Sequence, residues 1–170
     1  MDFKKLIPDF SAFGRTNWGK PSIKTGDKNW LISAILVALM VIFVFLPWCS
    51  VSTSMGPISI SGSRLGISTW YGIIGLIAAL LALYGVLYEQ KQFVFCGAAL
   101  GVLFGLLGII LWSDIEINTT VMGQTINQKV TKDMVENNPL VSVGHIGAIL
   151  YMISAICAAG WSFLQIKNEK

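Results

Sequence analysis

The chain has 170 residues, of which 54% are hydrophobic and only 12% are charged, and its mean hydropathy is +0.68. These values lie beyond the range of soluble domains and favour a single membrane-embedded domain. The net charge of +3 comes from the ends of the chain, since six of the twelve Lys and Arg residues precede position 29. A basic tail beside a membrane span is an orientation signal, so this charge does not predict nucleic-acid binding.

Residues 1–28 are predicted to form a cytoplasmic arm that is basic and aromatic. Phe3, Leu6 and Phe10 have the spacing of one helical face, which is typical of an interfacial anchor or a docking arm. A flexible tail whose aromatic residues touch the membrane is the alternative interpretation. Asp27 is the predicted N-cap of the first apolar helix.

Four apolar runs, each of the roughly 20 residues that a helix needs to cross a bilayer, predict spans at 30–48, 70–88, 93–112 and 143–163. The turn at 89–92 is so short that the second and third spans must be antiparallel neighbours. Together the spans define a membrane domain over 29–164, followed by a cytoplasmic tail at 165–170. Tryptophans near the span ends are the predicted membrane-interface anchors, and they are Trp30, Trp48, Trp70, Trp112 and Trp161.

The distribution of basic residues predicts the orientation of the chain. With four spans, the N-terminus, the 89–92 turn and the C-terminus share one side. That side carries nine of the twelve basic residues, namely Lys4, Lys5, Arg15, Lys20, Lys24, Lys28, Lys91, Lys167 and Lys170. Because Lys and Arg are concentrated on the cytoplasmic side of membrane proteins, both termini are predicted to be cytoplasmic.

The loops at 49–68 and 113–142 then share the outer side, and both contain alternating β-branched residues typical of hairpins. We expect residues 49–62 and 114–130 to meet as one antiparallel sheet, because a lone hairpin is marginally stable. For the loop at 49–68, a flexible Ser/Gly-rich loop without strands is the alternative interpretation. The predicted fold class is all-α membrane, an antiparallel four-transmembrane-helix bundle with a small extracytoplasmic antiparallel β cap.

Glycines recur every four residues in the third span, at Gly97, Gly101 and Gly105, and Gly108 follows. Such stripes allow close helix packing in bilayers. Small residues of the second span, among them Gly75 and Ala79, are predicted to fill this groove within one chain. A seam between two copies is the alternative.

The inner two-thirds of each predicted span lacks ionisable residues, and such residues usually mark proton relays and intramembrane catalysis. Arg64, Asp114 and His145 form a possible outer polar cluster at the membrane boundary. These residues would form either a polar functional site or a set of helix caps whose side chains pair with each other or with the loop backbone. The second interpretation is favoured, because a metal site needs three or four suitably spaced ligands. The sequence therefore predicts no catalytic residue, metal or cofactor, and Cys49, Cys96 and Cys157 are expected to be free thiols.

The segment Phe45-Leu46-Pro47-Trp48-Cys49-Ser50, a Ser/Gly-rich outer loop and two Gly/Ala/Leu-rich spans joined by a tight turn resemble the small bacterial four-span (tetraspan) inner-membrane proteins of unknown function. The resemblance implies a bacterial inner-membrane location and no activity. The layout alone is loosely similar to that of claudin-type proteins, but their Gly-Leu-Trp signature with paired cysteines is missing.

These features predict a non-enzymatic integral membrane protein, a structural or accessory subunit that contacts a membrane-protein partner or a second copy within the lipid bilayer. The alternative is a self-associating pore, small-solute conduit or membrane-acting effector. An interfacial enzyme would depend on Asp114 and His145 alone and is the weakest of the three hypotheses.

Overall fold

The structure is a computed structural model. It describes residues 21, 23–55, 58–112, 115–121, 124–131, 133 and 141–168. Most of the predicted arm at 1–28, Asp114 of the predicted polar cluster and the end of the predicted tail lie outside the described residues.

Four helices make up most of the described chain: α1 (Lys28–Val44), α2 (Trp70–Leu87), α3 (Lys91–Ile110) and α4 (Ile146–Asn168). Helices α2, α3 and α4 are long and apolar enough to cross a membrane. Helix α1 is equally apolar in character but has only 17 residues. The predicted class, a mostly helical membrane-type fold, is confirmed at this level.

Helix α1 ends four residues before the predicted end of the first span. The backbone N–H groups of Phe45 and Leu46 donate to Ile42 and Phe43 carbonyls, which tightens the last turn. Pro47 follows directly and disfavours helical geometry at the residue before it. Trp48 therefore belongs to a strand and not to the first helix.

The helices form a ring in which each packs against the next and α4 closes the ring against α1. Near the end of α4, Trp161 Nε1 donates to the Asn29 carbonyl at the start of α1 (3.4 Å), so these helices are antiparallel. Glu89 adopts a left-handed backbone conformation (φ 57°) in the predicted tight turn between α2 and α3. We call the end that holds this turn the inner end, and the opposite end, where the strands lie, the outer end.

Side-chain caps define where two of the helices start. Asp27 accepts a hydrogen bond from the Asn29 backbone N–H (2.9 Å) at the start of α1, so the predicted N-cap is confirmed. Thr69 does the same for Gly72 at the start of α2 (3.1 Å), and its hydroxyl donates to the Gly66 carbonyl (2.7 Å). Both contacts satisfy backbone groups that a helix end leaves without partners.

The described part of the chain has five strands, which lie at the outer end: β1 (Pro47–Met55), β2 (Ile58–Leu65), β3 (Ile115–Val121), β4 (Gln124–Val130) and β5 (Val141–Gly144). Both predicted hairpins are present as antiparallel pairs, β1 with β2 and β3 with β4. Within the described chain, hydrogen bonds divide the strands into a three-stranded sheet of order β2-β1-β5 and a separate β3-β4 hairpin.

This arrangement differs from the single sheet expected from residues 49–62 and 114–130. The second edge of β1 is occupied by β5, which pairs through Ser50 with Gly144 and Val51 with Val143. The chain enters α4 directly from β5, so α4 begins at Ile146 and not near Val143 as predicted. With both edges of β1 filled, the β3-β4 hairpin lies beside β2 without joining its ladder.

Candidate functional site

The outer end of the bundle is closed by Trp48, which β1 inserts between the helices. Its side chain is 1% exposed, and its Nε1 donates to the Phe43 carbonyl (3.0 Å). The indole ring stacks on Tyr71 with a centroid separation of 6.0 Å and packs against Tyr151 at 5.1 Å. The ring of Trp48, one of the predicted membrane-interface anchors, is thus enclosed by protein.

Three glycines make room for this ring. A Cβ atom at Gly108 would lie 2.6 Å from the indole of Trp48, and one at Gly75 would lie 3.2 Å from it. A Cβ at Gly66 would collide with the indole Nε1. A larger residue at Gly66 or Gly108 would therefore force the ring of Trp48 to shift, whereas at Gly75 the ring would have to give by only a few tenths of an ångström.

Tyr151 fills the bundle interior one layer further in. Its hydroxyl donates to the Gly75 carbonyl (2.5 Å), linking α4 to α2 across the ring. A Cβ at Gly101 would lie 3.1 Å from this hydroxyl and 2.7 Å from Met40 Cε. Gly101 therefore faces α4 and α1, and not the second span.

The rest of the glycine stripe divides between two neighbouring helices. A Cβ at Gly97 would lie 2.6 Å from the backbone of α2 at Ala78 and Ala82. A Cβ at Gly105 would lie 3.1 Å from Met152 on α4. Residues of the same chain pack against the stripe. Many of these contacts come from α4 and Trp48, whereas the sequence predicted that α2 would make them. Ala79 of α2 is completely buried in the same core.

Two members of the predicted outer polar cluster lie on either side of Cys49. Arg64 is the β2 partner of Cys49, and its guanidinium approaches the Ser68 carbonyl (3.5 Å). His145 Nδ1 lies 3.1 Å from the Trp48 carbonyl oxygen. Because a carbonyl only accepts, this nitrogen carries the proton. Both side chains thus contact backbone carbonyls near the outer ends of the helices.

Cys49 is buried and has no disulfide partner. Burial raises the pKa of this thiol to about 11, although the positive charge of Arg64 opposes the shift. The thiol is therefore protonated at neutral pH and a poor nucleophile. Among the residues that the structure describes, no group of three His, Cys, Asp or Glu side chains is placed to hold a metal ion.

The other four predicted interface tryptophans lie near the two ends of the bundle. Trp70 is 57% exposed, and Trp112 packs partly against the buried pair Cys49 and Val51 at the outer end. At the inner end, Trp30 Nε1 donates to the Val86 carbonyl (3.1 Å), and Trp161 contacts Asn29 as described above. Each of these four rings is placed near a helix end, where interfacial aromatic residues are commonly found.

The inner end contains a polar cleft that the sequence did not reveal. Its volume is about 210 Å³. Ser33 and Gln165 form its polar side, joined by hydrogen bonds to the Asn29 carbonyl (3.0 and 3.4 Å). Lys24 and Glu89 form an ion pair (2.9 Å) at its mouth. The full lining is Lys24, Asp27, Asn29, Trp30, Ser33, Gly85, Val86, Glu89, Lys91, Val94 and Gln165.

One sequence signal for this cleft existed. Asn29 and Ser33 are four residues apart in a helix whose other residues after Lys28 are apolar, and this spacing places them on the same helical face. Their meeting with Gln165 and Glu89, more than 50 residues further along the chain, depends on the closure of the ring. The two ends of the bundle therefore differ: buried aromatic rings close the outer end, and a polar cleft lies at the inner end.

Comparison of the chain with protein-family models, with curated proteins and with solved structures gives no match.

Proposed function

We propose that this chain is a four-span integral membrane protein with both termini in the cytoplasm. Three of its helices meet the requirements of a span by length and composition. Helix α1, at about 1.5 Å per residue, is close to the lower limit of about 17 residues for a span. Its first turn contacts the end of α4, and just beyond its last turn the Leu46 carbonyl accepts a hydrogen bond from the Gly66 N–H, shortly before α2 begins. These contacts at both ends support the assignment of α1 as the fourth span.

The proposed orientation is supported by the charge distribution. The inner end carries the basic residues Lys24, Lys28, Lys91 and Lys167, and a cytoplasmic location for that end agrees with the positive-inside rule. The proposed bacterial inner-membrane setting depends on the resemblance to bacterial tetraspan proteins. Fusion of a reporter that is active only outside the cytoplasm would test the orientation at the outer hairpins.

We propose that the protein acts without catalysis, as a structural or accessory subunit that contacts protein partners through its outer sheet. The observation that supports this proposal is the packing of β1 into a filled bundle through Trp48. Trp48 and Val51 of β1 are 1% exposed; Trp48 lies in the core cluster of the bundle, and Val51 lies with Cys49 in a separate cluster at the outer end. Ser52 and Ser142 face outward on adjacent strands with their hydroxyl oxygens 2.7 Å apart, and they present a small hydrogen-bonding surface.

Site-specific photocrosslinking in intact membranes tests the proposed contact. A photoreactive residue at Ser142 is expected to produce a discrete adduct with a partner or a second copy. The matched control is Ile77, which is 59% exposed on the membrane-spanning part of α2 and is expected to react mainly with lipid. If gently solubilised protein purifies alone as a monomer and Ser142 produces no adduct, the proposal is refuted.

The filled interior limits the alternative of a pore or small-solute conduit. Met40 and Tyr151 are completely buried in the same cluster as Trp48, and Val37 is completely buried in a second cluster with Ala82 and Val86. A conduit would therefore have to form between copies of the chain. Ion or dye flux from liposomes that rises with the square or a higher power of protein density would favour this alternative, whereas absence of flux at high density would remove it.

A further inference from the structure

The end of α2 is closed by a Schellman motif, in which a left-handed residue follows the helix cap. The Gln90 backbone N–H donates to the Gly85 carbonyl (2.7 Å), and the Glu89 N–H donates to the Val86 carbonyl (3.4 Å). Glu89 follows the cap residue Tyr88 and takes the left-handed position, with φ 57°. Glycine is the usual residue there, because a Cβ atom makes the left-handed conformation costly. Glu89 therefore occupies a position where its own backbone conformation is unfavourable.

The side chain of Glu89 makes a contact that glycine could not make. Its Oε2 atom lies 2.9 Å from Lys24 Nζ. Lys24 belongs to the segment 23–27, which precedes α1 and contains a turn closed by a hydrogen bond from the Asp27 N–H to the Lys24 carbonyl (3.0 Å). In the described part of the chain, no other ion pair or hydrogen bond joins residues 23–26 to α2, α3 or α4. The ion pair thus fastens this segment to the turn between α2 and α3.

Both parts that the ion pair connects line the inner cleft. Lys24 and Asp27 belong to the lining on the side of the segment, and Val86 and Glu89 belong to it on the side of the turn. Ser33 lies deeper, since it is 7% exposed, whereas the Lys24 and Glu89 side chains are 52% and 44% exposed. Exposed ion pairs change an equilibrium by only about two- to fivefold. This connection can therefore open and close in the folded protein.

We propose that residues 23–27 are a strap across the inner cleft and that the Lys24–Glu89 ion pair is its latch. With the latch closed, the strap shields the cleft from solvent at the inner end. With the latch open, the strap turns away at Gly26, where a Cβ atom would meet nothing within 4 Å, and Ser33 becomes accessible. The latch explains why a glutamate stands at a position that favours glycine. The inference is independent of the proposed protein partner, because it uses the inner end of the bundle alone.

The experiment measures access to the cleft by the rate at which N-ethylmaleimide labels the Ser33→Cys variant of the full chain in mild detergent. Cys96 and Cys157 are replaced by alanine in this parent protein, and the buried Cys49 is kept. The reagent is uncharged, so its own encounter with the protein does not depend on the charge changes that follow.

Removal of either half of the latch is expected to increase the labelling rate. Lys24→Gln and Glu89→Gln should each raise it about threefold over the parent protein. An electrostatic effect on the thiol alone would give a different result, because loss of a nearby negative charge lowers a thiol pKa and loss of a positive charge raises it. The two variants would then change the rate in opposite directions.

Three further variants separate the latch from a general loosening of the bundle. The charge exchange Lys24→Glu with Glu89→Lys is expected to restore the slow rate of the parent protein. Glu89→Gly should label as fast as Glu89→Gln without unfolding at a lower SDS fraction, because glycine suits the left-handed position. Lys167→Gln removes a basic residue from the same end that does not line the cleft, and it is expected to leave the rate unchanged.

Equal labelling rates in the parent protein and both latch variants overturn the proposal, and so do opposite changes in the two. A charge exchange that stays as fast as the single variants overturns it as well. An equal increase in Lys167→Gln, or earlier unfolding of Glu89→Gly, would show general loosening and has the same consequence. If Ser33→Cys fails to fold, Val86→Cys places the probe on the other side of the cleft at a position that is 3% exposed, with the same expected results.

Discussion

Replacement of Gly101 by leucine tests whether the glycine stripe belongs to the monomer. The first atom of the new side chain would lie 2.7 Å from Met40 Cε, 3.1 Å from the Tyr151 hydroxyl and 3.3 Å from Ala155 Cβ. The end of Met40 is flexible and would move for an alanine. Leucine adds three more carbons beside Tyr151. This ring cannot move aside without breaking the hydrogen bond of its hydroxyl to the Gly75 carbonyl.

The expected cost combines two effects. Overpacking of a close-packed core costs about 1–3 kcal/mol, and a lost interhelical hydrogen bond in a membrane protein costs about 0.6 kcal/mol on average. We therefore expect Gly101→Leu to lower the free energy of unfolding by about 2–4 kcal/mol. Gly101→Ala should cost less, because Met40 is its closest contact and can move.

The assay is unfolding of the purified monomer by titration of a mild-detergent solution with SDS, followed by tryptophan fluorescence. The matched control is Gly160→Leu in α4, where a Cβ atom would meet nothing within 4 Å. Because both variants replace a helical glycine by leucine, the control corrects for the higher helix propensity of leucine. If Gly101→Leu unfolds at the same SDS fraction as the control and loses only an oligomer, the stripe is a seam between copies and the reasoning is refuted.

The further predictions concern two residues of β1, Trp48 and Cys49. Trp48→Ala is expected to lower stability by about 3–5 kcal/mol in the same titration, whereas Trp70→Ala, at a ring that is 57% exposed, should have little effect; equal effects would show that Trp48 does not close the bundle. Cys49 should resist alkylation in the folded protein near neutral pH and react after unfolding, because only the thiolate is nucleophilic. Since the pKa of this thiol rises from 9.0 to about 11 on folding, the unfolded chain loses the proton first, and stability should fall as the pH rises through this interval. Cys49→Ala should remove that part of the pH dependence, and an unchanged dependence would contradict the assigned cause.

Local patterns predicted the helices with shifts of a few residues. The second and third apolar runs match α2 and α3 closely, because their ends are set by nearby residues such as Thr69 and the turn at Glu89. The predicted ends at Trp48 and Val143 were less accurate. Both residues lie in strands that pair with partners elsewhere in the chain, and hydrophobicity alone does not separate a buried strand from the end of a helix.

The amino-acid sequence by itself determined the class of this protein, because the length and composition of an apolar run decide whether a helix can lie in a bilayer. It also determined that α3 would present a groove, since glycines four residues apart share one helical face. Only the tertiary structure decided what fills that groove. Trp48 and Tyr151 reach it from distant parts of the chain, and the inner cleft exists because α1 and α4 meet at Asn29 and Gln165. Such contacts depend on the three-dimensional packing of whole helices, which local sequence patterns do not encode.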